Sequence, residues 1–132
     1  MDGKKHLFDF GFDHALSGVF AALKSEKSIK VAFLYTVAVL ILGFALSISV
    51  TEWALLILAL GLIFAVEYLN TAIEYAVDLA TDDILVRELN RDPINQNAKL
   101  AKDIGAASAL IATCVVGLIS LIIFAPKLLA LL

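Results

Sequence analysis

The sequence is short of the residues that brace soluble domains. It holds one cysteine, two prolines and one tryptophan, and charged residues make up only 17% of it, against about a quarter in ordinary globular chains. A single cysteine, Cys114, excludes an internal disulfide and any CxxC metal or redox site. It lies in "LIATCVVGL" and reads as a small buried apolar side chain rather than a reactive thiol. The net charge of −3 offers no basic surface, so no nucleic-acid partner is expected. Neither a GxxxxGK[ST] phosphate loop nor the Gly-rich loop of protein kinases is present, so ordinary nucleotide enzymes are not indicated. No cleavable signal peptide is expected either: Lys4 and Lys5 lead into "HLFDFGFDHA", where Asp9 and Asp13 interrupt the apolar residues.

What the chain has instead is hydrophobic residues, at 61%. They gather in three long runs, the pattern of a membrane protein rather than of a soluble core. Residues 7–25 differ from these runs. Phe12, Leu16, Val19, Phe20 and Leu23 recur at spacings of three and four, one face of an amphipathic helix. Lys24, Lys27 and Lys30 follow. This segment reads as a helix lying in the membrane interface.

The first span is expected over residues 31–50, "VAFLYTVAVLILGFALSISV", which carries no charge. A tight connection, "SISVTE", leads to the second, residues 51–81, with Glu52 and Trp53 at the water–lipid boundary. At 1.5 Å per residue that helix is about 45 Å long and outruns a hydrocarbon core of about 30 Å. A polar connection over residues 82–103 contains Pro93, expected to break any continuous helix. The third span covers residues 104–125, opens on the small residues "GAASA" and ends before Pro126. Small residues let membrane helices approach closely. The expectation is a single all-α integral membrane domain over residues 1–132, an N-terminal amphipathic surface helix followed by three transmembrane helices.

Lys4, Lys5, Lys24, Lys27, Lys30, Arg87, Arg91, Lys99 and Lys102 fall on one side of this three-span arrangement, and Lys127 on the other. The positive-inside rule then puts the N-terminus and the 82–103 connection in the cytoplasm.

The second span ends in "VEYLNTAIEYAVDL", where lipid-facing residues would be expected. On a helix turning about 100° per residue, Asn70, Glu74 and Asp78 lie within an arc of about 80° with Glu67. The four form a one-sided ladder from inside the bilayer to its cytoplasmic surface. Three carboxylates so close repel one another, and a divalent cation or basic partners would relieve that. Such oxygen ligands suit Mg²⁺, which commonly takes one or two carboxylates together with substrate phosphates. "NAKLAKDIG" supplies Lys99, Lys102 and Asp103 at the start of the third span, and "KSEKS" supplies Glu26. A lone carboxylate near a helix end is commonly helix glue or a snorkelling group. Four polar groups in register, each costly in lipid, point to function. Two classes fit: an enzyme acting on a membrane lipid, or a protein carrying ions or protons along a carboxylate relay.

"VEYLNTAIEYAVDL" followed by "AKLAKDIGAASALI" closely resembles the signature of the prokaryotic diacylglycerol kinase and undecaprenol kinase family. The likeness extends to "HALSGVFAALKSEKSIKV" and "ISVTEWALLIL", and so covers most of the chain. "NTAIE" and "TEWALLIL" look more like the undecaprenol kinase branch. The resemblance implies a homotrimeric helical bundle in the bacterial cytoplasmic (inner) membrane that transfers the γ-phosphate of ATP, with Mg²⁺, to a membrane lipid alcohol. Undecaprenol is the favoured acceptor and diacylglycerol the alternative. It also implies roles for matching residues. Glu67 corresponds to the general base for the lipid hydroxyl, Glu74 to a metal-binding carboxylate and Glu26 to its partner from the surface helix. Asn70 corresponds to an amide of the site, and Asp78, Lys102 and Asp103 to nucleotide-holding groups, with Lys99 a further candidate beside them. The chain departs from the family pattern in a longer connection after Asp78 and in "NQNAK" before the A-K-D motif.

Overall fold

Apolar stripes at helical spacing decide which faces meet. The computed structural model describes residues 3–81 and 92–131, and for 3–10 and 92–95 the backbone alone. These residues form four helices: α1 (Gly3–Ser25), α2 (Lys27–Ala45), α3 (Val50–Thr81) and α4 (Asp92–Leu129). In α3 the buried positions are Leu56, Ala59, Leu60, Ile63, Glu67 and Thr71. Their spacing of three and four makes one continuous stripe. α4 answers with Gly105, Ala109, Ala112, Val116, Ser120 and Ile123, all buried and mostly small. α3 and α4 consequently form the most extensive interface, and α2 and α1 pack against α3 over smaller areas. The core joins Ala32 and Val39 of α2, Leu56, Leu60 and Ile63 of α3, and Val116, Ile123 and Phe124 of α4. A polar link crosses it, where the Tyr35 hydroxyl donates to Ser120 Oγ at 2.7 Å.

The connection between α2 and α3 is built from backbone chemistry. Ser47 takes φ 48°, a left-handed conformation that usually falls to glycine. Around it Ser47 N–H bonds Phe44 O at 3.3 Å and Ile48 N–H bonds Gly43 O at 3.2 Å, the two reversed bonds of a Schellman cap. Gly43 has no room for a side chain, since a Cβ there would lie 2.7 Å from the Trp53 ring. Ser49 then caps α3. Its N–H donates to Glu52 Oε2 at 2.6 Å, and Glu52 N–H donates to Ser49 Oγ at 3.3 Å, a reciprocal capping box. Glu52 also holds Lys127 of α4 at 3.3 Å. Ser49→Ala is expected to lower stability by about 1 kcal/mol, read as an earlier thermal unfolding midpoint of the purified protein in detergent.

The helix bounds depart from the expected spans for identifiable reasons. α2 stops at Ala45, five residues before the uncharged run ends, because Ser47 turns the chain in the left-handed conformation there. α4 begins at Asp92, so residues 92–103 of the expected connection are helical. Pro93 falls in the first turn of α4, where a missing N–H breaks no helical bond. α4 also runs past Pro126 to Leu129. α1 starts at Gly3 rather than residue 7. Residues 82–91 of the expected connection, with Arg87 and Arg91, lie outside the described residues, as do the side chains of Lys4 and Lys5.

Three helical segments, Lys27–Ala45, Val50–Thr81 and Gln96–Leu129, are long and apolar enough to cross a membrane. At most 28% of the most apolar window in each is buried within the chain, so most of their apolar surface faces outward. Leu34, Leu58 and Ile122 are examples, each largely exposed, and Cys114, expected to be buried, lies exposed on α4 as well. Phe12, Leu16, Val19 and Phe20 of α1 are exposed too.

Candidate active site

The ladder grows directly out of the core. Because α3 is one unbroken helix, Glu67 follows Ile63 by one turn and continues the buried stripe. Its residue is only 7% exposed. Asn70 and Glu74 are half-buried and Asp78 is exposed. Burial within the chain thus falls off along the ladder from Glu67 to Asp78.

Glu67 lines a groove of about 580 Å³ between α2, α3 and α4. Val31, Ala32, Ile63 and Val116 make its walls, with Lys27 and Ser28 at one end and Tyr35 at the other. From Lys27 to Tyr35 it follows α2 for about 12 Å. Apart from the Glu67 carboxylate, the wall beyond its Lys27–Ser28 end carries two hydroxyls, both already donating within the bundle. The Tyr35 hydroxyl serves Ser120, and the Thr113 hydroxyl donates to Ala109 O at 2.9 Å. A buried carboxylate beside a greasy groove can take a proton from an apolar molecule's single polar end.

One turn further along, the Asn70 Nδ2 donates to Glu74 Oε1 at 2.9 Å. Lys102 Nζ meets Asp78 Oδ1 at 2.8 Å, which bridges α4 to α3. Both side chains are well exposed, so the pair adds little stability. Its effect is to place an ammonium group beside the ladder. Lys99 and Asp103 sit exposed on the same stretch of α4. Among the described residues neither pairs with a carboxylate of α3.

Glu26 arrives from a different direction. It occupies the N-cap position of α2, in extended conformation, yet its side chain makes no cap bond. Instead its Oε1 accepts from the Tyr75 hydroxyl at 2.9 Å and from Ser25 Oγ at 3.1 Å. Tyr75 follows Glu74 in sequence, so this bond ties the start of α2 to the same turn of α3. A second tyrosine, Tyr68, donates to Val19 O of α1 at 3.0 Å. Sequence reasoning passed over both tyrosines, although a signal existed. Glu67–Tyr68 and Glu74–Tyr75 repeat the same pair seven residues apart, which puts both hydroxyls on one face.

A divalent cation can be tested against this donor set. Glu74 and Glu26 are each anchored through Oε1, which leaves Oε2 of each for a ligand. Among the described residues no group of three His, Cys, Asp or Glu side chains could hold a metal. Two carboxylates completed by phosphate oxygens and water is a donor set of the kind that Mg²⁺ takes. The oxygen chemistry of these two side chains suits such an ion.

The sequence model of the family described as prokaryotic diacylglycerol kinase matches residues 13–124. An undecaprenol kinase of Bacillus subtilis is 36% identical over 97% of the chain and 100% of its own length. A diacylglycerol kinase of Pseudomonas aeruginosa is 34% identical over 78% of the chain and 76% of its own length. No solved structure matches significantly.

Proposed function

The chain belongs to the prokaryotic diacylglycerol kinase family, and on that footing we propose that it phosphorylates undecaprenol, with Glu67 as general base. As a member it is a multi-pass membrane lipid kinase, a phosphotransferase that carries a phosphoryl group from ATP to a lipid alcohol. That membership decides against the ion- or proton-pathway reading of the ladder. The observation that carries the choice of acceptor is the match to an undecaprenol kinase over nearly the whole of both chains. The groove supports it. A polyisoprenyl chain is apolar beyond its hydroxyl, and the wall beyond Lys27 and Ser28 has its hydroxyls engaged. Diacylglycerol brings two ester carbonyls, which would be buried there without donors, at a cost. Its claim rests on the second relative.

The roles divide along α3. Glu67 takes the proton of the lipid hydroxyl as its oxygen attacks the γ-phosphorus, and ADP leaves. Asn70, Asp78, Lys99, Lys102 and Asp103 hold the nucleotide; Lys102, oriented by Asp78, brings positive charge to the phosphates. Glu74 and Glu26 would hold Mg²⁺, which would neutralise phosphate charge. Such transfer depends on positioning and electrostatic stabilisation more than on covalent chemistry by the protein. The clustering of basic residues supports a cytoplasmic-membrane protein with the N-terminus and the 82–103 segment in the cytoplasm. The exposed apolar faces of α2, α3 and α4 support a homotrimer, and those of α1 support its lying in the membrane interface.

With radiolabelled ATP and purified protein in liposomes, undecaprenol is expected to exceed diacylglycerol in kcat/KM by about tenfold, a difference of about 1.4 kcal/mol. Equal or reversed preference would refute the assignment of acceptor. Failure to label either lipid would refute the placement of catalysis at this site.

A further inference from the structure

Asn70 uses only one end of its amide on Glu74. Its Oδ1 is buried and has no hydrogen-bond partner, an uncommon state for a buried polar atom. The orientation is set by the carboxylate: turned over, the amide would point its oxygen at Glu74 and lose the bond. Oδ1 is left facing the backbone of α4 at Gly105. A Cβ built on Gly105 would overlap Asn70 Oδ1, with Ile73 Cγ2 at 3.9 Å as the other close neighbour. By contrast, a Cβ on Gly61 of α3 or Gly117 of α4 would meet nothing within 4 Å. Glycine inside a helix destabilises it relative to alanine. At Gly105 the missing side chain leaves the space the amide occupies, and a Cβ there would force the Asn70 side chain to move.

We propose that Gly105 is a positioning residue for the phosphoryl-transfer site. The space it leaves seats the Asn70 amide, and the seated amide holds the Glu74 carboxylate in the rotamer that presents Oε2 to the cation. The chain of contact runs from the α4 backbone through Asn70 to Glu74, and Gly105 itself touches no reactant. This inference rests on the reading of Glu74 as a metal-holding carboxylate.

The test is a double-mutant cycle on the full-length protein in detergent–lipid micelles, comparing Gly105→Ala, Asn70→Ala and the double variant. Two quantities are read: Mn²⁺ affinity in the presence of ADP, by electron paramagnetic resonance, and kcat for undecaprenol. Gly105→Ala is expected to weaken Mn²⁺ binding and lower kcat by roughly tenfold each. In the Asn70→Ala background the same change is expected to have less than about a twofold effect, because the displaced oxygen is gone. Multiplying effects would overturn the proposal, since the glycine would then act on packing alone; so would an unaffected Gly105→Ala. Should Gly105→Ala fail to fold, recovery of a folded protein in the double variant supports the contact, and its absence overturns it. Glu74→Gln separates the underlying reading. If Glu74 holds no metal, that variant keeps wild-type Mn²⁺ affinity, while the coupling of positions 70 and 105 is still read in kcat.

Discussion

Glu67→Gln is expected to reduce phosphoryl transfer to undecaprenol by roughly 10²–10⁴-fold, the usual contribution of a positioned general base. Glutamine has the shape of glutamate, so it fills the same buried space between α2 and α4 with little disturbance of the core. It cannot take up the hydroxyl proton at neutral pH. Because Glu67 lies deeper than the groups assigned to nucleotide and cation, ATP affinity is expected to stay within about twofold of wild type. The measurement pairs single-turnover transfer of labelled phosphate with nucleotide titration by calorimetry. A variant that loses ATP binding yet transfers normally once saturated would show that Glu67 belongs to the nucleotide site.

The second large effect concerns Glu74→Gln. The free Mg²⁺ needed for half-maximal activity is expected to rise at least 10–100-fold, since even outer-shell partners of metal ligands commonly contribute that much. Asn70 can still donate to the amide oxygen of the new side chain, so the helix pair keeps its contact while the charge is gone. A magnesium titration of initial rates at saturating ATP gives the result. An unchanged titration midpoint would remove Glu74 from the cation site and leave Glu26 to be tested in its place.

How far residues alone lead depends on whether contacts are local. The ladder was legible because α3 is continuous, so turning 100° per residue places Glu67, Asn70, Glu74 and Asp78 correctly. The three spans were legible from their apolar runs. Their ends were not, because hydropathy carries no information about backbone angles. "SISV" is apolar enough to prolong the first span, but Ser47 turns the chain there. Pro93 reads as a breaker within a sequence and proves harmless in a first turn. Contacts between elements were illegible for another reason. Glu26 and Tyr75 stand 49 positions apart, and Gly105 meets Asn70 only through the register of α4 on α3. No local periodicity encodes such register. The Lys102–Asp78 contact was nearer to hand, because Lys99 and Lys102 were already expected as basic partners for the ladder as a whole.

The two ends of the bundle are tied unequally. At the turn, a Schellman cap, a capping box and the Glu52–Lys127 pair bind α2, α3 and α4 together. At the other end, the ion pair joining α3 to α4 among the described residues is the exposed Asp78–Lys102 bridge. The turn, with Trp53 packed on Gly43, is therefore the end of the bundle where backbone bonds, a capping box and an ion pair all coincide, and a change at Ser49 or Glu52 is felt by three helices at once.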